Sequence, residues 1–367
     1  VLAAGGAAAS AGGCPAELET SAPASGRVAR TSRARIAGLV SCLPPRRIEN
    51  SHFAVRFGSK LDDVVKMTGV RTRYWVEGGV TTSDLCARAA RELLDRLAWD
   101  RASVDALVFV SQTPDYRLPA TACSLQARLG LRPGIVAFDV PLGCSGYPYG
   151  LWLAMMMIQT GAARRVLLAV GDTSSVMNDP DDRSTVLLFG DAGAVTALEA
   201  HDDGDAVHIL GTDGRGAENL IVPRGAFRSC STHPKFSDYP ADTLYMDGGE
   251  VFNFTLKAIP TLIRDTIAAA GQTIDGYDAF VLHQANAFML KHLAKKAKID
   301  PGRLPINIDR YGNTSSASIP LVLTTDLAAA VSERAMRLAL VGFGVGYSWA
   351  STTLTVGPLA CAETVTL

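Results

Sequence analysis

Cys144, His283 and Asn313 are the residues of this chain whose types and settings point to chemistry. Cys144 lies in Leu142-Gly143-Cys144-Ser145-Gly146, after an apolar run over 134–140 that reads as a buried strand stopped at Pro141. The apolar segment 150–158 that follows reads as a helix. A thiol at such a turn faces the partial positive charge of the helix start, which favours the nucleophilic thiolate. Pro148 fits a helix whose first turn begins at or near Cys144, because the first N–H groups of a helix have no intrahelical partner. Taken alone, a free cysteine is more often a small apolar core residue. His283, in Val281-Leu282-His283-Gln284-Ala285-Asn286, ends an apolar strand, where a lone histidine is usually a satisfied core side chain. Asn313, in the stretch Tyr311 to Pro320, sits in a Gly-polar turn, where asparagine is usually a turn former. The turn Gly342-Phe343-Gly344-Val345-Gly346 matches the dinucleotide fingerprint poorly and lies at the wrong end of the chain for it.

The elements around these residues change those odds. Runs 106–110 and 165–170 are apolar and of strand length, and 85–97 carries apolar residues at helical spacing. The second half replays this order. Asp105 pairs with Asp278, Cys144 with Asn313 and Arg165 with Arg337, at a near-constant offset of roughly 170 residues. Chance similarity does not keep register across several features. Alternating strands and helices imply mainly parallel strands covered on both faces. Two such halves predict an α/β body of five layers, α/β/α/β/α, with the Cys144 and Asn313 turns facing one interface. The expected divisions are a flexible Ala/Gly/Ser-rich extension over 1–33, a half over 34–200 carrying the cysteine, and a half over 201–367 carrying His283 and Asn313.

Composition narrows the function classes. The 367 residues are 48% hydrophobic and 19% charged, with a formal net charge of −1. That balance gives no reason to expect nucleic-acid binding. No apolar run approaches the roughly 20 residues of a membrane span. Seven scattered cysteines, with no zinc-like spacing, point to reduced thiols and a cytoplasmic protein.

Taken together, the three motifs, the glycine-rich turn, Leu188-Phe189-Gly190-Asp191 and Met246-Asp247-Gly248-Gly249 resemble the ketoacyl-ACP synthase III branch of the thiolase-fold condensing enzymes. The resemblance runs from about residue 35 to 356. It implies a thiolase fold and an acyltransferase in which Cys144 takes an acyl group from a thioester. His283 and Asn313 would stabilise the enolate left when a malonyl thioester loses CO2. The backbone N–H groups of Cys144 and Val345 would form the oxyanion hole. Phe343, Leu118, Asn286 and Arg183 are the substrate-side residues it implies, Leu118 reaching across a homodimer. The expected partners are acyl-CoA, acyl carrier protein and a malonyl thioester, with no metal or redox cofactor. Lys291, Lys295 and Lys298 form a candidate face for an acidic carrier, and Met155 to Met157 a candidate pliable wall. Asp63, Met67, Phe288 and Asn253 stand where the family commonly has a stacking Trp, two arginines and a lysine. Those departures suggest a specialised, secondary-metabolite or non-acetyl-primer member. Acyl transfer to a hydroxyl or amine is the alternative, and Asn313 favours condensation over it.

Overall fold

Val108 and Val110 of the strand Ala106–Val110 pack to one side, and Leu107 and Phe109 to the other, as the two-residue period of a strand requires. All four are fully buried, so both faces of the sheet are covered. In the computed structural model, which describes residues 25–58, 60–228 and 234–367, this strand belongs to a six-stranded sheet. Its order is Ala362–Thr366, Ala34–Leu43, Ala192–Ala200, Arg165–Asp172, Ala106–Val110 and Val136–Val140. A second sheet of five strands runs Arg27–Thr31, Ala206–Thr212, Ser348–Val356, Met336–Gly344 and Ala279–Leu282.

The helix Gly146–Gln159 lies between the two sheets and is apolar on every side for that reason. Tyr147, Leu151, Ala154 and Met155 share one core with Val108 and Val170 of the first sheet and Leu338 and Leu340 of the second. A Cβ on Gly146 would stand 2.6 Å from Val110 Cγ1, so the helix start sits directly on the first sheet. The outer face of that sheet packs on Thr82–Arg96, and that of the second on Gly248–Ala269 and Ala287–Ala297. The result is the five-layer α/β/α/β/α thiolase fold.

The repeat is visible in the sheets. The order 34–43, 192–200, 165–172, 106–110 matches 206–212, 348–356, 336–344, 279–282. Four expectations are corrected. The sheets are mixed rather than mainly parallel: Met336–Gly344 and Ser348–Val356 are joined by the short turn 345–347, which permits only antiparallel pairing. Among the described residues, the second half has no counterpart of Val136–Val140 within its sheet. Ahead of Gly312 stands a short helix, Ile308–Tyr311, and Gln284 Oε1 accepts the Asn307 N–H at 3.0 Å, holding this segment out of the ladder. Of the expected flexible extension, residues 1–24 lie outside those described, and Arg27–Thr31 is a strand paired antiparallel to Ala206–Thr212. The halves also exchange their ends: Ala362–Thr366 completes the first sheet, parallel to Ala34–Leu43. Among the described residues, no helix is long and apolar enough to cross a membrane.

Candidate active site

Cys144 lies in the turn after Val136–Val140 and is 7% exposed. The helix begins at Gly146 with Ser145 as its cap, so Cys144 stands just outside the first turn rather than in it, and Pro148 is the third helical residue. Its missing N–H is one of the orphan donors of the helix start. The glycine-rich turn presses on this site. A Cβ on Gly342 would lie 2.8 Å from Cys144 O, and one on Gly344 would lie 2.7 Å from Cys144 Cβ.

The expected depression of the thiol pKa is also corrected. Burial pushes Cys144 up to about 11, and the Asp172 carboxylate adds to the rise. The Ser315 side chain and the backbone N–H groups of Val345 and Cys144 hydrogen-bond the sulfur and pull the other way. Those two N–H groups are the pair expected to form the oxyanion hole. Burial outweighs them, so the resting residue is a thiol whose proton must leave during reaction.

One short segment ties the three residues together. Ser315 Oγ stands 3.9 Å from Cys144 Sγ. Asn313 Oδ1 accepts the Ser315 N–H at 2.9 Å, which leaves Nδ2 as a donor. Asn313 is itself fixed by its N–H to Leu188 O at 2.9 Å and by the Gly190 N–H to its carbonyl at 3.0 Å. Ser318 Oγ lies 2.8 Å from His283 Nδ1 and accepts the Gln284 N–H at 3.3 Å. With the hydroxyl proton directed to Nδ1, the imidazole carries its own proton on Nε2. Burial pushes His283 down to about 3, and a backbone hydrogen bond at Ser315 opposes this weakly, so the ring is neutral. Phe343 packs edge-on against it with ring centroids 5.6 Å apart.

A cavity of about 190 Å³ opens on Cys144, Ser315 and Val345, with Met177, Phe189 and Leu244 among its apolar walls. A second cavity of about 480 Å³ shares Gln112, Met177 and Val222 with it. Met177 therefore takes the place expected for Met155 to Met157. Met155 is fully buried core, and none of those three lines the cavity.

The other substrate-side residues stand apart. Leu118 is 79% exposed and lines no part of this chain's Cys144 cavity. Asn286 caps Ala287–Ala297, its Oδ1 accepting the Met289 N–H at 2.7 Å. Arg183 is exposed on the short helix Arg183–Val186. Lys291, Lys295 and Lys298 do share one open cleft, of about 860 Å³. Sequence reasoning missed Ser315 and Asp172. The available signals were an acid closing a buried strand and a serine-rich run beside Asn313.

Comparison with known proteins bears on the family of the chain. Residues 138–214 match the family model described as 3-oxoacyl-[acyl-carrier-protein] synthase III, and residues 267–356 match that of its C-terminal part. The chain is 34% identical over 323 residues to a beta-ketoacyl-[acyl-carrier-protein] synthase III of Neisseria meningitidis, covering 88% of this chain and 98% of that protein. A crystal structure of a 3-oxoacyl-(acyl-carrier protein) synthase from Burkholderia xenovorans superposes with a TM-score of 0.91 at 54% identity, covering 94% of this chain and 99% of that one. The priming beta-ketosynthase of the R1128 polyketide biosynthetic pathway superposes with a TM-score of 0.79 at 26% identity, covering 89% and 97%.

Proposed function

The chain belongs to the 3-oxoacyl-[acyl-carrier-protein] synthase III family, and on that premise we propose that it loads an acyl group on Cys144 and condenses it with a malonyl thioester. The observation that carries this reading is the segment Asn313 to Ser318, which meets Cys144 through Ser315 Oγ and His283 through Ser318 Oγ. Cys144 Sγ attacks the acyl thioester, and the acyl group stays on the sulfur. The malonyl thioester then binds with its carbonyl oxygen toward His283 Nε2 and Asn313 Nδ2. Loss of CO2 leaves an enolate, whose charge these two neutral donors stabilise. The carbanion attacks the acyl carbonyl, and the N–H groups of Cys144 and Val345 hold the oxyanion before the sulfur leaves.

The relative from Neisseria carries acyl carrier protein in its name, which supports a carrier-bound malonyl partner for this chain. The lysine-lined cleft is the docking face for that acidic carrier, and acyl-CoA or acyl carrier protein is the donor. A homodimer is supported by the edge strand Val136–Val140, whose outer ladder has no partner strand among the described residues and whose Val136 is 44% exposed. The exposed Leu118 then reaches the partner subunit. Asp63, Met67, Phe288 and Asn253, together with the paired cavities and the likeness to a polyketide priming synthase, support a specialised member with a primer other than acetyl.

The test is intact-protein mass spectrometry across a panel of acyl-CoA and acyl-carrier donors, followed by malonyl thioester. A mass gain lost in Cys144→Ala, with CO2 and a β-ketoacyl product afterwards, is expected. Acylation without CO2 would replace condensation by simple acyl transfer.

A further inference from the structure

The proposed reaction leaves one proton without a route. Cys144 is a buried thiol, and its proton must go somewhere as the S–C bond forms. His283 is not the acceptor, because its ring is engaged with Ser318 and burial keeps it neutral. Among the described residues, Ser315 is the only polar side chain that hydrogen-bonds Cys144 Sγ, at 3.9 Å. The Ser315 hydroxyl also lies against the Asp172 carboxyl and favours its charged form. This carboxylate is 1% exposed and ends the strand Arg165–Asp172. It is held by the Gln112 N–H at 2.6 Å, Ser111 Oγ at 3.1 Å and Ser316 Oγ at 3.3 Å. Every partner is a neutral donor, and no cation pairs with it among the described residues. Ser315 keeps a φ of 50°, the left-handed region that a non-glycine residue adopts only when its surroundings impose it.

We propose that Cys144, Ser315 and Asp172 form a proton relay that empties the thiol during acylation and refills it after condensation. The inference rests on Cys144 being the acylated nucleophile. In the first step the S–C bond forms, the thiol proton passes to Ser315 Oγ, and the Ser315 hydroxyl proton passes to Asp172. The donor's thiolate leaves and takes a proton from solvent. In the second step the malonyl thioester loses CO2, the enolate attacks, and collapse expels Cys144 as thiolate. The proton held on Asp172 returns through Ser315 and restores the thiol. One proton thus stays within the chain through the whole cycle. Burial raises the Asp172 carboxyl above the ordinary carboxylate range, which brings its affinity for the proton closer to that of the thiol. Ser315 touches the reacting sulfur and is a catalytic residue, whereas Asp172 acts through it.

The test uses iodoacetamide, which alkylates Cys144 without needing any natural substrate, read as modification of the Cys144 peptide from pH 7 to pH 9. Among the described residues, the titratable groups in the electrostatic reach of the relay are Cys144 itself, Cys86 and Asp191. Wild type is expected to show a nearly flat profile, since in the relay Asp172 takes the proton across this range. Asp172→Asn and Ser315→Ala are each expected to slow alkylation at pH 7 by at least about 100-fold and to make it rise about tenfold per pH unit. Ser315→Ala decides the matter where Asp172→Asn does not fold. A wild-type rate that itself climbs tenfold per unit overturns the relay, as do variants slowed with an unchanged flat profile or not slowed at all. Release of CO2 from a malonyl thioester by wild type is measured alongside; its absence refutes the condensation reading and leaves the relay result standing.

Discussion

His283 Nδ1 lies 2.8 Å from Ser318 Oγ, and the same oxygen accepts the Gln284 N–H at 3.3 Å. A hydroxyl has one proton and two lone pairs. The Gln284 N–H takes one lone pair; with the hydroxyl proton assigned to Nδ1, the imidazole proton is left on Nε2. The ring is thus fixed as a neutral donor aimed away from Ser318, and burial down to about 3 keeps it neutral across the working pH range.

Ser318→Ala tests that dependence. The ring loses the partner that sets its tautomer, so Nε2 is no longer held as the donor. Decarboxylation of a malonyl thioester is expected to fall about 10- to 100-fold. Acylation of Cys144 is expected to remain near wild type. Release of CO2 and the mass gain on Cys144, followed in parallel, give the two rates. Equal loss of both would mean that Ser318 supports the whole site and not the ring.

Asn313→Asp makes the complementary change. The new side chain still accepts the Ser315 N–H, now at 2.9 Å through Oδ1, so the turn is retained. The Nδ2 donor is replaced by a second acceptor, charged and facing the enolate. CO2 release is expected to drop by at least about 100-fold. Decarboxylation that survives in this variant would remove Asn313 from the enolate-stabilising role.

These residues differ in how far the sequence disclosed them. Cys144, His283 and Asn313 were legible because three individually weak signals fall at corresponding turns of a repeat. The core strands were legible because fully apolar runs such as Ala106–Val110 have little alternative to burial on both faces. The strand Arg27–Thr31 was not: its five residues include two arginines and one alanine, and its pairing with Ala206–Thr212 is made by backbone across a long sequence separation. The helix at Ile308–Tyr311 was hidden for a related reason, since a side chain from another motif, Gln284, pulls that segment out of the sheet. Asp172 and Ser315 carry no local signature. Their meaning lies in a three-dimensional neighbourhood that brings a strand end, a cysteine turn and a serine-rich loop together.

Stability at acid pH is expected to depend on His208. Its ring is fully buried, with Nε2 3.2 Å from Thr31 Oγ1 and Nδ1 3.0 Å from Thr352 Oγ1. Burial pushes it from 6.5 down to about 4. Above pH 6.5 the ring is neutral in both folded and unfolded chains and adds no slope. Below that value the unfolded chain binds a proton that the native ring refuses, so stability falls as pH drops from about 6.5 to about 4. The loss reaches about 3 kcal/mol at pH 4. Asp191, raised to about 6, works in the opposite sense between pH 3.8 and 6, because its native carboxyl holds a proton the unfolded chain has lost. Urea unfolding of wild type and His208→Gln separates the two. The stability difference in favour of wild type is expected to shrink below pH 6.5, and a difference independent of pH would exclude the buried neutral ring as its source.

Gly342→Ala probes the contact between the two halves at the nucleophile. A Cβ there would stand 2.8 Å from Cys144 O, 2.9 Å from Ser145 Cα and 3.0 Å from Pro148 Cδ. None of these atoms is the free end of a flexible side chain. The cysteine turn and the strand Met336–Gly344 must move apart, which costs about 1–3 kcal/mol of overpacking strain. The same displacement draws the Val345 N–H away from the sulfur, so acylation of Cys144 is expected to weaken beyond what the lost stability explains. Gly214→Ala is the control, because a Cβ at that position meets nothing within 4 Å, and its stability is expected to stay within about 0.5 kcal/mol of wild type. Thermal melting together with the acylation rate of Cys144 reads both effects. Normal acylation in a destabilised Gly342→Ala protein would show that the turn supports the fold without setting the geometry at the sulfur.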